Sequence, residues 1–314
     1  MFMPALSRPT PPHYEAISLG KDGLEIQPQV SLANSTTYRV GGAAEWYAAP
    51  RNLTELQAIL AWYDQQNLPL MALGAGSNLL ISDQGIPGLV ISTRHLKQSA
   101  FDPDTGRITV AAGAPIAKIG WQAAKRGWRG LEWAVGIPGT VGGAVVMNAG
   151  AHKQCTAETL VSAQVMNPDG TIETLNNADL AFAYRTSTLQ GDPRLVIEAT
   201  FELQTDSTRD AVMHHTTKNL YLRKNSQPYD KPNCGSVFRN PTPLYAAQLI
   251  EGLGLKGYRI GGAEVSQRHA NFIVNIDDAK AQDVYHLINH VREQVLQHCD
   301  VSLETEVKLI GEFQ

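Results

Sequence analysis

The stretch LEWAVGIPGTVGGAVVMNAG, residues 131–150, decides what kind of fold this chain can form. Its five glycines and single proline are interleaved with small apolar residues. Because glycine costs backbone entropy, this density indicates a backbone that must approach another group closely or adopt positive φ. The interruptions exclude a membrane span, which needs roughly 20 unbroken apolar residues. Two interpretations remain, a buried packing loop and a loop that lies against a large flat cofactor.

A second glycine-rich loop, GAGSN at residues 74–78, follows an apolar strand-like segment. The fingerprint of dinucleotide-binding folds requires a third glycine and a helix directly after such a loop. Another strand-like segment, at 79–81, follows here, so the sequence does not fit that fingerprint. Successive backbone N–H groups in a loop between strands can still hold an anion such as a pyrophosphate. An ordinary tight turn is the alternative, but two such loops in one chain favour a cofactor.

The composition indicates a folded protein of about two domains. Of the 314 residues, 43% are hydrophobic and 18% are charged, which allows a sizeable core and excludes a disordered chain. The net charge of -4 argues against a broad nucleic-acid interface, which carries a basic face. Three cysteines without C-x-x-C spacing indicate a reduced, cytoplasmic chain. Residues 1–25 contain four prolines and no apolar signal-peptide core, so we expect a flexible tail.

Periodicity and capping residues predict an α+β protein. Helices are expected at 53–66, 115–126, 207–224, 244–253 and 280–298. Strands are expected at 37–40, 70–73, 79–81, 89–91, 107–112, 160–167, 171–175, 195–203, 257–265, 270–275 and 303–310. Strands dominate the first part of the chain, which argues against a doubly wound parallel sheet. The composition changes near residue 205, where we expect a domain boundary.

Three features that could carry chemistry have a plain structural alternative. Ser236 follows glycine as in a nucleophile elbow, but G-x-S-x-G is absent and most isolated Gly-Ser pairs are turns. His286 and His290 are four residues apart on a predicted helix, but H-E-x-x-H is absent, so we expect a solvated face and no metal site. The alternation in LETEVKLI predicts a strand whose acids face solvent, with Glu304 and Glu306 on one face.

Seven short motifs occur in the order in which one known family has them. They are TYRVGGAAEWYA at 37–48, GAGSNLLI at 74–81, GIPGTVGGAVVMNAGA at 136–151, AYRTS at 183–187, CGSVFRNP at 234–241, VSQRHANFIVN at 265–275 and LETEVKLIG at 303–311. Each motif is weak alone, but seven in order are specific. On these motifs the chain resembles the UDP-N-acetylenolpyruvoylglucosamine reductases (MurB), also called UDP-N-acetylmuramate dehydrogenases, over residues 26–314.

The resemblance implies an α+β fold similar to that of the p-cresol methylhydroxylase and vanillyl-alcohol oxidase flavoproteins. After the tail at 1–25, FAD-binding subdomains at 26–96 and 97–206 would precede a C-terminal α+β substrate-binding domain at 207–314. No histidine lies in GAGSN for a covalent flavin link, so we expect non-covalent FAD. The span between Val265 and the last helix is too short for the βαββ insertion that accompanies a tyrosine loop, so the chain resembles the shorter type of the family.

By the same resemblance, the two glycine-rich loops hold FAD. The loop at 74–78 would cradle the pyrophosphate, and the stretch from 136 to 149 would lie along the flavin with its N–H groups towards the ring. The expected FAD-binding residues are Gly74, Ala75, Gly76, Ser77, Asn78, Gly136, Pro138, Gly139, Gly142, Gly143, Met147, Asn148 and Ala149.

The resemblance also implies the reaction. NADPH would reduce FAD and leave, and the flavin N5 would then deliver hydride to the vinyl carbon of UDP-N-acetylglucosamine enolpyruvate. The product, UDP-N-acetylmuramate, is a peptidoglycan precursor, so the resemblance implies a role in cell-wall biogenesis, cell shape and cell division. Arg185 in AYRTS would hold the substrate carboxylate, and Glu306 in LETEV would stand beside it with a raised pKa and a proton. Ser236 in CGSVF would donate the proton to the inner carbon.

Three further residues are expected to contact the substrate by the same resemblance: Tyr184, Lys224 and Asn240. Lys224 has an alternative explanation, because a cation near a helix end interacts favourably with the helix dipole. We expect a small-molecule substrate, no nucleic-acid or membrane partner, and a monomer. Two other functions stay open, another FAD oxidase of the same flavoprotein fold that uses oxygen, and a nucleotide-sugar-binding protein without turnover.

Overall fold

The computed structural model describes residues 15–20 and 23–314 of the chain. Its helices are α1 (Leu53–Tyr63), α2 (Ile116–Ala124), α3 (Val141–Val146), α4 (Arg209–Ser226), α5 (Ala246–Gly252) and α6 (Ala281–Cys299). Its strands are β1 (Ile17–Leu19), β2 (Leu24–Ser31), β3 (Ala43–Ala48), β4 (Leu70–Leu73), β5 (Leu79–Ile81), β6 (Ile86–Ser92), β7 (Ser99–Asp102), β8 (Arg107–Ala111), β9 (Gly150–Ala151), β10 (Gln154–Cys155), β11 (Leu160–Met166), β12 (Ile172–Asn176), β13 (Leu195–Glu202), β14 (Arg259–Ile260), β15 (Ala263–Val265), β16 (Ile273–Asn275) and β17 (Lys308–Ile310). This mixture of helices and strands confirms the α+β class.

The first sheet has the strand order β1-β2-β3-β6-β4. Strands β3, β6 and β4 are parallel, whereas β1 and β2 extend the sheet in antiparallel fashion. Helix α1 connects β3 to β4 and buries Leu56, Ile59 and Leu60 in one hydrophobic cluster with residues of the sheet. The Asn52 side chain accepts a hydrogen bond from the Glu55 amide and so caps α1, as the sequence N-L-T-E predicts.

The second sheet is antiparallel, with the order β12-β11-β13-β8-β7. Helices α2 and α3 share its core, in which Trp133 and Phe201 are fully buried. The hairpin between β11 and β12 turns where Pro-Asp-Gly predicts it. There the Gly170 amide donates to the Asn167 carbonyl at 2.9 Å, and the Asp169 carboxylate accepts from the Thr171 amide at 2.9 Å.

The C-terminal part of the chain forms a small sheet, β14-β15-β16, against which α6 packs. After α6 the chain returns to the first part of the molecule, because β17 pairs in parallel with β5. The Asp83 carboxylate accepts hydrogen bonds from the Ala281 and Gln282 amides, each at 2.9 Å, and so caps α6 from outside its own segment. The loop after β5 therefore anchors the C-terminal part of the chain. The subdomain boundaries at 96/97 and 206/207 stay our proposal.

Residues 37–40 do not form the expected strand. The backbone turns at Arg39, whose φ is 59°. The turn allows the Tyr38 side chain to be fully buried, and the Thr37 amide donates to the Gly76 carbonyl at 3.2 Å. Strand propensity in this segment is overridden by these tertiary contacts.

Three other expected strands are much shorter than predicted, and one of them, 270–275, is a strand only over Ile273–Asn275. The segment 257–265 is split by a turn at Gly261, whose φ of 53° suits glycine, so that β14 and β15 form a hairpin. The segment 303–310 is a strand only at its end, in β17. Alternation of residue types predicted a longer strand because it cannot show where pairing partners stop.

The expected flexible tail at 1–25 is wrong where the structure describes it. Strand β1 pairs with β2, with Ile17 opposite Ile26 and Leu19 opposite Leu24. Ile17 and Leu19 also pack against the cluster beside the first sheet, which explains their order. Residues 1–14, 21 and 22 of the expected tail lie outside the described residues. Within the described ranges, no helix combines the length and apolar character needed to cross a bilayer.

Candidate functional site

The AYRTS segment forms a tight turn that presents Arg185. Ala183 and Thr186 exchange two backbone hydrogen bonds of 3.2 Å, so Tyr184 and Arg185 occupy the two central positions of the turn. Arg185 has a φ of 58°, in the left-handed region that favours glycine. The Asn148 side chain donates through Nδ2 to the Ala183 carbonyl at 3.0 Å and anchors the turn to the glycine-rich stretch.

The Arg185 side chain joins this turn to the end of the chain. Its Nε donates to Glu306 Oε1 at 2.8 Å, and its Nη2 donates to the Gly150 carbonyl at 2.8 Å. The side chains of Arg185 and Glu306 are only 22% and 15% exposed, respectively. A guanidinium held from two sides in this way is oriented before any ligand arrives.

Burial controls the protonation of Glu306. Loss of solvent raises the pKa of its carboxyl above the usual value near 4.5, and the guanidinium of Arg185 opposes part of that rise. The expectation that Glu304 and Glu306 share one face is wrong, because the Glu304 side chain is 76% exposed. The segment before β17 is irregular, so the two-residue period of a strand does not apply to it.

The CGSVFRNP segment is fixed beside Glu306 by backbone contacts. The Glu306 amide donates to the Val237 carbonyl at 2.8 Å, one residue after Ser236. The buried Asn271 side chain accepts from the Phe238 amide at 2.9 Å and donates to the Phe238 carbonyl at 2.8 Å. These contacts bring Ser236, which is half-buried, to the same place as Glu306.

Asn78 connects both glycine-rich loops with this place. Its Nδ2 donates to the Glu306 carbonyl at 3.1 Å and lies 3.8 Å from Met147 Sδ. The two loops also touch directly, since a Cβ added at Gly74 would lie 2.5 Å from Thr140 Oγ1. Glycine is therefore required at 74 by the packing of one loop on the other. The structure thus brings the loops at 74–78 and 136–149 together with Arg185, Ser236 and Glu306.

A cleft of about 340 Å³ opens beside residues 136–138. Its walls are mainly prolines, aromatic rings and backbone, with two cations: Thr37, Gly136, Ile137, Pro138, Arg223, Gln227, Pro228, Tyr229, Lys231, Pro232, Asn233, Gly235 and Phe272. Thr37 Oγ1 is buried and has no hydrogen-bond partner within the described part of the chain. A polar atom left unpaired beside an apolar cleft indicates a bound group that supplies the partner. These residues fit a large planar cofactor such as FAD.

The remaining expected site residues are placed as follows. Tyr184 is exposed, and its ring centroid lies 5.1 Å from the Arg185 guanidinium carbon. Asn240 Oδ1 accepts a hydrogen bond at 3.1 Å from the backbone amide of Ala246, the first residue of α5. Lys224 is exposed in the last turn of α4.

Of the expected FAD-binding residues, Gly142 is buried against Ala112, whereas Pro138 and Gly143 are exposed. None of these positions contradicts the expected roles, which stay predictions.

Several polar residues at this site were not singled out from the sequence. They are Thr37, Gln190, Tyr229, Arg239 and Asn271. Three of them, Thr37, Arg239 and Asn271, lie within the quoted motifs, so a polar residue inside a motif was the available signal. Tyr229 donates to the Gly136 carbonyl across the cleft, and accepts from Arg223 Nε at 3.2 Å. Such contacts join segments far apart in the chain and leave no local pattern.

Comparisons with known proteins agree with this arrangement. A family model described as UDP-N-acetylenolpyruvoylglucosamine reductase, C-terminal domain, matches residues 227–310, and one described as FAD binding domain matches residues 44–176. A protein of Synechocystis sp. with the name UDP-N-acetylenolpyruvoylglucosamine reductase is 69% identical, over 100% of this chain and 99% of its own length. A relative of that name from Acaryochloris marina is 55% identical, over 95% of this chain and 97% of its own.

A solved structure shows the same fold. The crystal structure of UDP-N-acetylenolpyruvylglucosamine reductase (MurB) from Thermus caldophilus superposes with a TM-score of 0.79 and 33% identity. The match covers 92% of this chain and 100% of that one. The FAD-binding architecture with an added C-terminal domain is thereby confirmed.

Proposed function

The chain belongs to the UDP-N-acetylenolpyruvoylglucosamine reductase family, and on this premise we propose that it reduces UDP-N-acetylglucosamine enolpyruvate to UDP-N-acetylmuramate. The product would serve peptidoglycan precursor synthesis. We further propose NADPH as the electron donor, FAD held without a covalent bond, a monomeric state and action in the cytoplasm. The resemblance of the motifs supports these finer points. The three cysteines, which lack C-x-x-C spacing, support the cytoplasmic location.

The two glycine-rich loops would hold FAD. Residues 74–78 would provide backbone N–H groups for the pyrophosphate, and the start of the second loop, residues 136–138, borders the cleft proposed for the ring. FAD, when bound there, supplies hydride for the vinyl carbon of the substrate. No histidine lies in 74–78, which supports non-covalent binding.

Arg185 would bind the substrate carboxylate and stabilise the negative charge that spreads into it. Stabilisation at the place where charge develops is usually the largest catalytic contribution. The contacts from Arg185 to Glu306 and Gly150 leave its guanidinium oriented in advance, so that little reorganisation is needed during the reaction.

Glu306 would carry a proton when the substrate is bound. An ionised carboxylate would repel the enediolate that forms beside Arg185, whereas a carboxyl group can donate a hydrogen bond to it. Burial already raises the pKa of Glu306, and a second negative charge nearby raises it further. This supports the expected protonated form.

Ser236 would donate the proton that completes the addition to the inner carbon of the double bond. A hydroxyl is a weak acid, but an enediolate is basic enough to take its proton if the hydroxyl is held in position. The contacts of Asn271 and Glu306 with Val237 and Phe238 fix the backbone that follows Ser236. Tyr184, Lys224 and Asn240 stay our proposal for substrate contacts.

The observation that carries this proposal is the meeting of Arg185, Glu306 and the Ser236 segment beside the two glycine-rich loops. The test is to reduce the purified protein with NADPH without oxygen, add UDP-N-acetylglucosamine enolpyruvate, and follow the flavin absorbance. We expect fast reoxidation of the flavin and formation of UDP-N-acetylmuramate. Fast reoxidation by oxygen alone would indicate an oxidase, and a protein without flavin absorbance would indicate a nucleotide-sugar-binding protein.

A further inference from the structure

The backbone at Arg185 has a conformation that its residue type disfavours. Its φ of 58° lies in the left-handed region, where a side chain with a Cβ meets the backbone unfavourably. Such a conformation persists only where the surrounding structure holds it in place. The side chains that hold the left-handed conformation of Arg185 are those that contact its carbonyl oxygen.

Within the described part of the chain, two side chains donate to the Arg185 carbonyl. Gln190 Nε2 lies 2.7 Å from this oxygen, and Arg239 Nη2 lies 3.3 Å from it. The same end of the Gln190 amide also faces the Val146 carbonyl at 3.5 Å and Met147 Sδ at 3.4 Å. All three neighbours are acceptors, so the Gln190 NH₂ group must point towards them.

These two donors come from different parts of the chain. Gln190 follows the AYRTS turn by a few residues and packs on the end of the glycine-rich stretch. Arg239 belongs to the segment that carries Ser236, and its backbone amide donates to the Glu304 carbonyl at 2.9 Å. The Arg185 carbonyl is therefore the point at which the cofactor loop, the arginine turn and the Ser236 segment are tied together.

We propose that Gln190 is a positioning residue for Arg185, and that Arg239 assists it from the Ser236 segment. By fixing the carbonyl, Gln190 fixes the left-handed turn and hence the direction in which the Arg185 side chain leaves the backbone. The guanidinium then reaches Glu306 and Gly150 together. This inference rests on the proposed function, because it assigns the effect to the step in which Arg185 meets the substrate.

The decisive variant is Gln190→Glu, which keeps the size of the side chain but replaces the donor NH₂ by an oxygen that repels the Arg185 carbonyl. We expect a normal flavin spectrum and a rate of flavin reduction by NADPH within about twofold of wild type. Flavin reoxidation by UDP-N-acetylglucosamine enolpyruvate should slow by about 10- to 100-fold, the usual effect of a misplaced catalytic group. Gln190→Met lacks the donor NH₂ group and does not introduce the negative charge of Gln190→Glu. It should likewise leave flavin reduction nearly normal and slow flavin reoxidation.

Arg239 provides a second arm of the test. Arg239→Lys keeps a donor and should retain most of the reoxidation rate, whereas Arg239→Met should lose part of it. The matched control is Gln98→Glu, an exposed change away from the site that should alter neither half-reaction. If wild type itself fails to be reoxidised by the substrate, the proposed function is wrong. If wild type reacts and both Gln190 variants match it, or both lose flavin and both half-reactions together, the positioning role is overturned.

Discussion

Arg185 Nε lies 2.8 Å from Glu306 Oε1, although the two residues are 121 positions apart in the chain. Both side chains are largely shielded from solvent, so the ion pair lies mostly inside the protein. A charged pair in such a place loses hydration, and breaking it by removing one partner leaves the other charge uncompensated. The contact between Arg185 and Glu306 therefore links the chemistry of the candidate site to the stability of the fold.

Replacing the Ser236 hydroxyl should separate the two half-reactions. Ser236→Ala removes the proposed proton donor but leaves the backbone contacts of Val237 and Phe238 in place. Flavin reduction by NADPH should stay normal, while reoxidation by the enolpyruvyl sugar should fall by about 10²- to 10⁴-fold. Stopped-flow absorbance measures both, with Ser99→Ala, an exposed change on β7, as the control. Normal reoxidation in Ser236→Ala would rule out the proton-donor role.

Substitutions of Glu306 should distinguish a carboxyl group that donates a hydrogen bond from a carboxylate. Glu306→Gln keeps a neutral donor of the same shape beside Arg185, whereas Glu306→Ala leaves the guanidinium without this partner. We expect kcat to fall by about 10²- to 10³-fold in Glu306→Ala and distinctly less in Glu306→Gln. Steady-state kinetics of the two variants under identical conditions gives the comparison. Equal losses would contradict a protonated Glu306.

The pH dependence of stability should also report on Glu306. Its pKa is raised in the folded chain, so its contribution to stability is complete below the unfolded pKa and is lost as the pH rises through the folded pKa. Each unit between the two pKa values corresponds to about 1.4 kcal/mol. The free energy of unfolding of Glu306→Gln, relative to wild type, should therefore be higher at about pH 8 than at about pH 4. Urea unfolding at both pH values tests this, and a difference that does not change with pH would contradict it.

Asn271 should be important for stability as well as for the site. Its side chain is buried and satisfies both the amide and the carbonyl of Phe238. Asn271→Ala leaves these two backbone groups without partners, and we expect the free energy of unfolding to fall by roughly 2–4 kcal/mol. Denaturant unfolding measures the loss, with the exposed change Asn34→Ala as the control. A loss no larger than in that control would show that the clamp on Phe238 is unimportant.

The cap that Asp83 provides to α6 should stabilise the attachment of the C-terminal part of the chain. Asp83→Ala removes acceptors from the Ala281 and Gln282 amides, and we expect a loss of about 1–2 kcal/mol in the free energy of unfolding. Asp206→Ala, a change of an exposed acid in a loop, is the matched control. Thermal and urea unfolding should agree, and equal stability of the two variants would contradict the proposed anchor.

Local features of the fold followed from the sequence by itself. The cap at Asn52, the turn at 168–170 and the amphipathic face of α6 each depend on residues a few positions apart, so their physical cause is contained in a short segment. The two glycine-rich loops could be recognised for the same reason, and the ordered motifs then identified the family and its FAD-binding domain.

Contacts between distant segments were decided only by the tertiary structure. Alternation in LETEVKLI predicts that Glu304 and Glu306 lie on the same face. The chain bends before β17, so Glu304 is exposed, whereas Glu306 is largely shielded from solvent and contacts Arg185. The Thr37–Val40 segment forms a turn at Arg39 instead of the predicted strand, and Tyr38 is fully buried there. The grip of Gln190 on the Arg185 carbonyl likewise has no local signature. Burial and hydrogen-bond partners depend on which segments meet in space, and a one-dimensional pattern carries no information about that meeting.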